Sequence, residues 1–110
     1  LIMNKKWIKL NRSICSSWIW QNGNERYAKW WLDILLMAND EPNKVLVNGK
    51  LIEIGTGECL TSIVKLARRW EASRNTVTRF LKLLEEDDMI SIEESGRNGT
   101  MFKVLHYEDY

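Results

Sequence analysis

Residues 60–85 read Leu60-Thr-Ser-Ile-Val-Lys-Leu-Ala-Arg-Arg-Trp70-Glu-Ala-Ser-Arg-Asn-Thr-Val-Thr-Arg-Phe80-Leu-Lys-Leu-Leu-Glu85. Ile63, Leu66, Ala67 and Trp70 recur at i, i+3, i+4 and i+7, which is one face of a helix. Lys65, Arg68 and Arg69 fall on its other side, and Thr61 or Ser62 is placed to cap its start. Glu71-Ala72-Ser73 interrupts the pattern, and Ser73 is a second cap. Val77, Phe80, Leu81 and Leu84 then repeat the same spacing. At about 100° per residue, Asn75, Thr78, Arg79 and Lys82 share a sector opposite that apolar stripe. Two amphipathic helices joined by a tight turn are therefore expected over about 61–87.

Downstream, the acidic run Glu85-Glu86-Asp87-Asp88 ends the second helix. Negative charge is unfavourable against a helix C-terminus and repels phosphate, so this run is expected to face away from any nucleic acid. Met89 to Glu93 alternates as a strand, Ser95-Gly-Arg-Asn-Gly99 is a loop with a basic tip, and Thr100 to Leu105 is a return strand. Upstream, Lys44–Val47 and Lys50–Ile54 flank Asn48-Gly49, a strong hairpin signal because a type I′ turn needs positive φ at both central residues. Glu58 to Leu60 reads as a further short strand.

Pro42 closes an earlier helix, expected over Glu25–Ala38 with Asn24 as its cap. From Tyr27 onward its side chains are apolar, with Lys29 and Asp33 the polar exceptions. Such a helix is buried on several sides. Either a second copy of the chain covers Trp30, Trp31, Ile34, Leu36 and Met37, giving a homodimer, or the tryptophan-rich start from Trp7 to Trp20 folds over them. That start is expected to hold an extended piece through Trp7 and Leu10 and a helical turn from Ser13.

The 110 residues make one domain, with 45% hydrophobic and 28% charged residues. Sixteen cations and fifteen carboxylates leave +1, so overall charge points to no partner. From Leu60 to Lys82, however, six cations meet a single carboxylate, a local +5. Local charge is what attracts phosphate. One histidine, His106, and two isolated cysteines, Cys15 and Cys59, supply neither a catalytic cluster nor metal-ligand spacing. No phosphate-binding glycine motif is present. The sequence is thus expected to be no enzyme and to need no cofactor or metal. Without a membrane-length apolar run or signal peptide, a cytoplasmic location is expected.

The order helix, hairpin, strand, helix, turn, helix, strand, glycine loop, strand is that of a winged helix-turn-helix. The expected fold class is α+β, one winged-helix domain over 1–110 with the wing at about 89–105, extended by the N-terminal aromatic segment and the hairpin. In this architecture the second helix of the pair lies in the major groove while the first braces it. The candidate DNA-binding residues are Ser73, Arg74, Asn75, Thr78, Arg79 and Lys82, with Arg68 on the bracing helix and Arg97 at the wing tip.

The block from Leu60 to Glu85 resembles the N-terminal winged-helix domain of phage replisome organisers and DnaD-like primosomal replication proteins. The likeness continues through Met89-Ile90 and the closing Tyr107-Glu-Asp-Tyr110, with His106 where that family has asparagine. It reaches back to Trp7-Ile-Lys-Leu10, Trp18-Ile-Trp20, Trp31-Leu-Asp-Ile-Leu35 and Ala38-Asn39. Thr56 precedes Gly57 where the family often carries a basic residue. The resemblance implies binding at a phage or prophage replication origin and recruitment of a helicase or its loader. It also implies that the chain is the N-terminal part of a longer protein. A transcriptional regulator of the same fold, and a winged helix used only for protein contact, are the alternatives.

Overall fold

The helix pair is built from its caps inward. In the computed structural model, which describes residues 7–94 and 99–107, α2 spans Ile63–Trp70 and α3 spans Arg74–Glu86. (The first helix, α1, spans Glu25–Met37.) The Ser62 hydroxyl accepts the Lys65 N–H at 3.1 Å, and the Ser73 hydroxyl accepts the Thr76 N–H at 3.1 Å. Each bond satisfies a backbone donor that the first helical turn leaves without a partner. Glu71 takes the left-handed conformation, φ 51°, to end α2. Leu66 and Trp70 on α2, and Val77, Phe80, Leu81 and Leu84 on α3, are buried as their spacing requires.

The strands are β1 (Asn43–Val47), β2 (Lys50–Ile54), β3 (Glu58–Thr61), β4 (Ile90–Glu94) and β5 (Thr100–Val104). β1 and β2 form the expected hairpin, pairing Val47 with Lys50 across a turn in which Asn48 has φ 50° and Gly49 φ 77°. The other three make a separate antiparallel sheet in the order β3-β5-β4. β5 thus lies between its wing partner β4 and β3, which leads into α2. Gly57 sits where this sheet meets α1. Its N–H donates to the Asn39 carbonyl, and its own carbonyl accepts the Val104 N–H. With φ +81° and an added Cβ only 3.0 Å from that of Tyr107, the position needs glycine.

α1 supplies the core's floor. Trp30, Trp31, Ile34 and Leu35 are at most 3% exposed. The N-terminal segment forms two short 3-10 turns, Arg12–Ser16 and Trp18–Trp20, which bury Ile14 and Ile19 against the same core. Of the two covers the sequence allows, the N-terminal segment of the same chain covers most of this face: Met37 is half-buried and Leu36 alone of the five is exposed, at 64%. The reason is local: the turns after Ser13, where a helical turn is expected, place Trp18 and Ile19 over the helix.

Asn24 does not cap α1 with its side chain, contrary to expectation. Its amide donates instead to the Trp18 carbonyl at 2.8 Å, tying α1 to the segment that covers it. The Glu25 carboxylate accepts the Gly23 N–H at 3.2 Å, and backbone N–H groups hold its pKa below the ordinary value.

Candidate nucleic-acid interface

Among the proposed contact residues, Arg74, Asn75, Arg79 and Lys82 are exposed and Thr78 is half-buried. Asn75, Thr78, Arg79 and Lys82 line one groove of about 400 Å³ along α3, together with Leu83 and Glu86. The structure thus brings four of the expected residues onto one continuous surface. Arg74 sits at the helix's first position, and the first turn carries no carboxylate. Ser73 is different: its hydroxyl accepts the Thr76 N–H and bonds the Thr76 hydroxyl at 2.8 Å. Its demonstrated contacts position α3.

α3 carries its charges against its own dipole. Arg74 stands at the positive N-terminal end, and Glu85 and Glu86 at the negative C-terminal end. Helix stability favours the reverse arrangement. An N-terminal turn with an arginine and no carboxylate suits an anion such as phosphate.

The cations of α2 divide into two kinds. Arg68 is exposed. Arg69 is held by Asp33 of α1, with Nε 2.6 Å from one carboxylate oxygen and Nη2 2.8 Å from the other. The Trp70 indole N–H donates to the same carboxylate at 2.7 Å. The Arg69 bond holds the Asp33 carboxyl below its ordinary pKa, against the opposing effect of burial, and raises that of Arg69 in turn. Arg69 therefore locks α2 onto α1. Arg26 adds a second tie, its guanidinium 4.7 Å over the Trp30 ring and one nitrogen 3.3 Å from the Glu71 carbonyl in the turn between α2 and α3.

The acidic run, expected to face away from any nucleic acid, is spread over several directions. Glu85 accepts the Ile92 N–H of β4 at 3.3 Å, and Asp87 accepts the Trp18 indole N–H at 3.1 Å. Asp88 occupies a left-handed turn at φ 55°. Glu86, however, lines the same groove as Arg79 and Lys82. Helical arithmetic accounts for it: Glu86 lies four residues after Lys82 and eleven after Asn75, which is one face at about 100° per residue. The sequence reading missed Glu86 because it treated four adjacent acids as a block. Arg97, the expected wing contact, lies outside the described residues.

A family model described as a helix-turn-helix domain matches residues 55–102. That span runs from the turn before β3 through α2, α3 and β4 into β5, and leaves out α1 and the hairpin. No match is found among curated proteins or among solved structures. The observed element order with a β3-β5-β4 sheet is that of a winged helix, and the matched segment is similar to a helix-turn-helix domain, a likeness that suggests DNA binding. Among the described residues, no helix is long and apolar enough to cross a membrane.

Proposed function

We propose that the chain binds duplex DNA by placing α3 in the major groove, with Arg74, Asn75, Thr78, Arg79 and Lys82 as contacts and Arg68 as a flanking phosphate contact. One observation carries this reading: the polar face of α3 is exposed, lines a continuous groove, and its cations have no ion-pair partner among the described residues, whereas Arg69 nearby has one. Arg97, expected from the sequence at the wing tip, belongs to the same reading. The role is binding, with no catalysis and no cofactor, in the cytoplasm.

The finer reading is a replication-initiation domain that engages phage or prophage origin DNA and helps recruit a helicase or its loader. It rests on the resemblance of Leu60–Glu85 and the flanking tryptophan motifs to replisome organisers and DnaD-like proteins. A homodimer on paired half-sites remains part of this reading on symmetry grounds alone, since most of the apolar face of α1 is covered within one chain and only Leu36 is exposed. Light scattering that reports only 13.0 kDa across the micromolar range would remove it.

The test is a titration against labelled duplex and single-stranded DNA at two salt concentrations. Duplex binding that weakens steeply with salt is expected. Arg79→Ala with Lys82→Ala should weaken it and shallow the log–log salt slope by about one unit per lost contact, at nearly unchanged melting temperature. Unchanged affinity in that double variant rejects α3 as the DNA-facing surface.

A further inference from the structure

Glu86 lines the α3 groove beside Asn75, Arg79 and Lys82, whereas Glu85 lines a second groove toward β4, and the position of Glu86 has no structural explanation in what it touches. Glu85 holds β4, Asp87 holds Trp18, and Asp88 turns the chain, but no hydrogen bond or ion pair engages Glu86 among the described residues. It sits in the last turn of α3, where a carboxylate opposes the helix dipole. Lys82 precedes it by four residues, the less favourable order for a helical ion pair, and no salt bridge forms between them. Stability alone therefore gives no reason for a carboxylate at this position.

Asn75, Arg79, Lys82 and Glu86 form a single strip about 16 Å long on the outward face of α3. We propose that Glu86 is a specificity-determining residue of this strip, placed to oppose unspecific binding to the DNA backbone; the inference rests on the reading that α3 enters the major groove. A carboxylate among cations repels phosphate wherever the helix docks loosely. It is tolerated where a base presents a donor, and in the major groove those donors are the amino groups of cytosine and adenine. Discrimination then comes from a repulsive element beside the attractive ones.

The experiment compares the full chain with Glu86→Gln, which keeps the shape and removes the charge. Glu53→Gln on the exposed outer face of β2 is the control for net charge. The probe is a labelled duplex of mixed sequence. Glu86→Gln should bind it roughly fivefold more tightly, the scale of one like-charge contact at about 4 Å in water. Its melting temperature should be equal or slightly higher, and Glu53→Gln should leave affinity near the parent's. Selection from a randomised duplex pool should yield a broader set of sites with Glu86→Gln than with the parent. Equal or weaker binding by Glu86→Gln, or an equal gain in Glu53→Gln, overturns the assignment while leaving DNA binding intact. A parent chain that binds no duplex at low salt overturns the DNA reading itself, and the role of Glu86 with it.

Discussion

Asp33 shows how one side chain can organise a helix junction. It is a polar residue in the mostly apolar stretch of α1 after Arg26, and its carboxylate gathers two nitrogens of Arg69 and the Trp70 indole. With its side chain 19% exposed and Arg69's 55%, the pair is partly screened, so its bonding geometry matters more than its Coulomb energy. The folded-state pKa of Asp33 lies below its ordinary value. A depressed carboxyl pKa stabilises the fold above the unfolded value, about 3.9, and that contribution is lost as pH falls through the folded value. Melting temperature should therefore drop below about pH 4, and Asp33→Asn should flatten that part of the profile while lowering the melting temperature at neutral pH. Calorimetry from neutral to acid pH checks this; parallel profiles for parent and variant would dismiss the junction. Asp33 and Lys29 stood out in the sequence only as exceptions. Their different fates were unreadable there, because the partner of Asp33 lies 36 residues away.

At the scale of elements, α1 and α2 meet through two tryptophans. The Trp30 and Trp70 rings stack with centroids 4.9 Å apart and planes 7° from parallel, and Phe80 of α3 packs edge-on against both. Trp70 is 8% exposed, as its place on the α2 stripe requires. Trp70→Ala should cost about 3–5 kcal/mol, as truncation of buried large aromatics does. Trp70→Phe should cost less, because it keeps part of the ring contact and loses the bond to Asp33. Denaturant unfolding measures both; an alanine variant with the parent's midpoint would show that the stack contributes nothing. The periodicity of 63–84 made both helices legible to within a residue or two, and Asn48-Gly49 did the same for the hairpin. The pairing of β3 with β5 was not legible, since residues 58–61 and 100–103 are joined only by the folded chain.

For the whole molecule, the decisive contact is between the N-terminal segment and everything after it. Ile19 is fully buried, Trp18 packs at 5.9 Å from Tyr27 and 6.2 Å from Phe80, and its indole reaches the end of α3. Segment, α1 and helix pair are one core. Removing residues 1–24 should expose Trp31 and Ile34, abolish cooperative melting, and cause the protein to associate through the uncovered surface. A truncated chain that melts cooperatively as a monomer would show that the segment is an appendage. The same contact lets α3 keep an outward polar face, because its apolar stripe is occupied from the other side.

Local chemistry was readable from the chain alone: cap residues, apolar spacing, the hairpin turn, and the +5 concentration of charge between Leu60 and Lys82. These depend on residues within one or two helical turns of each other, where backbone geometry dictates which side chains are neighbours. Tertiary structure decided which charges are engaged and which are available. Arg68 and Arg69 are adjacent cations in sequence, yet only Arg69 meets a carboxylate; Glu85 and Glu86 are adjacent acids, yet Glu85 is engaged by the Ile92 N–H while Glu86 lies in the groove with Arg79 and Lys82. The physical reason is that neighbouring residues on a helix point about 100° apart. Whether each meets a partner or solvent depends on elements distant in sequence and brought there by burial of the common core.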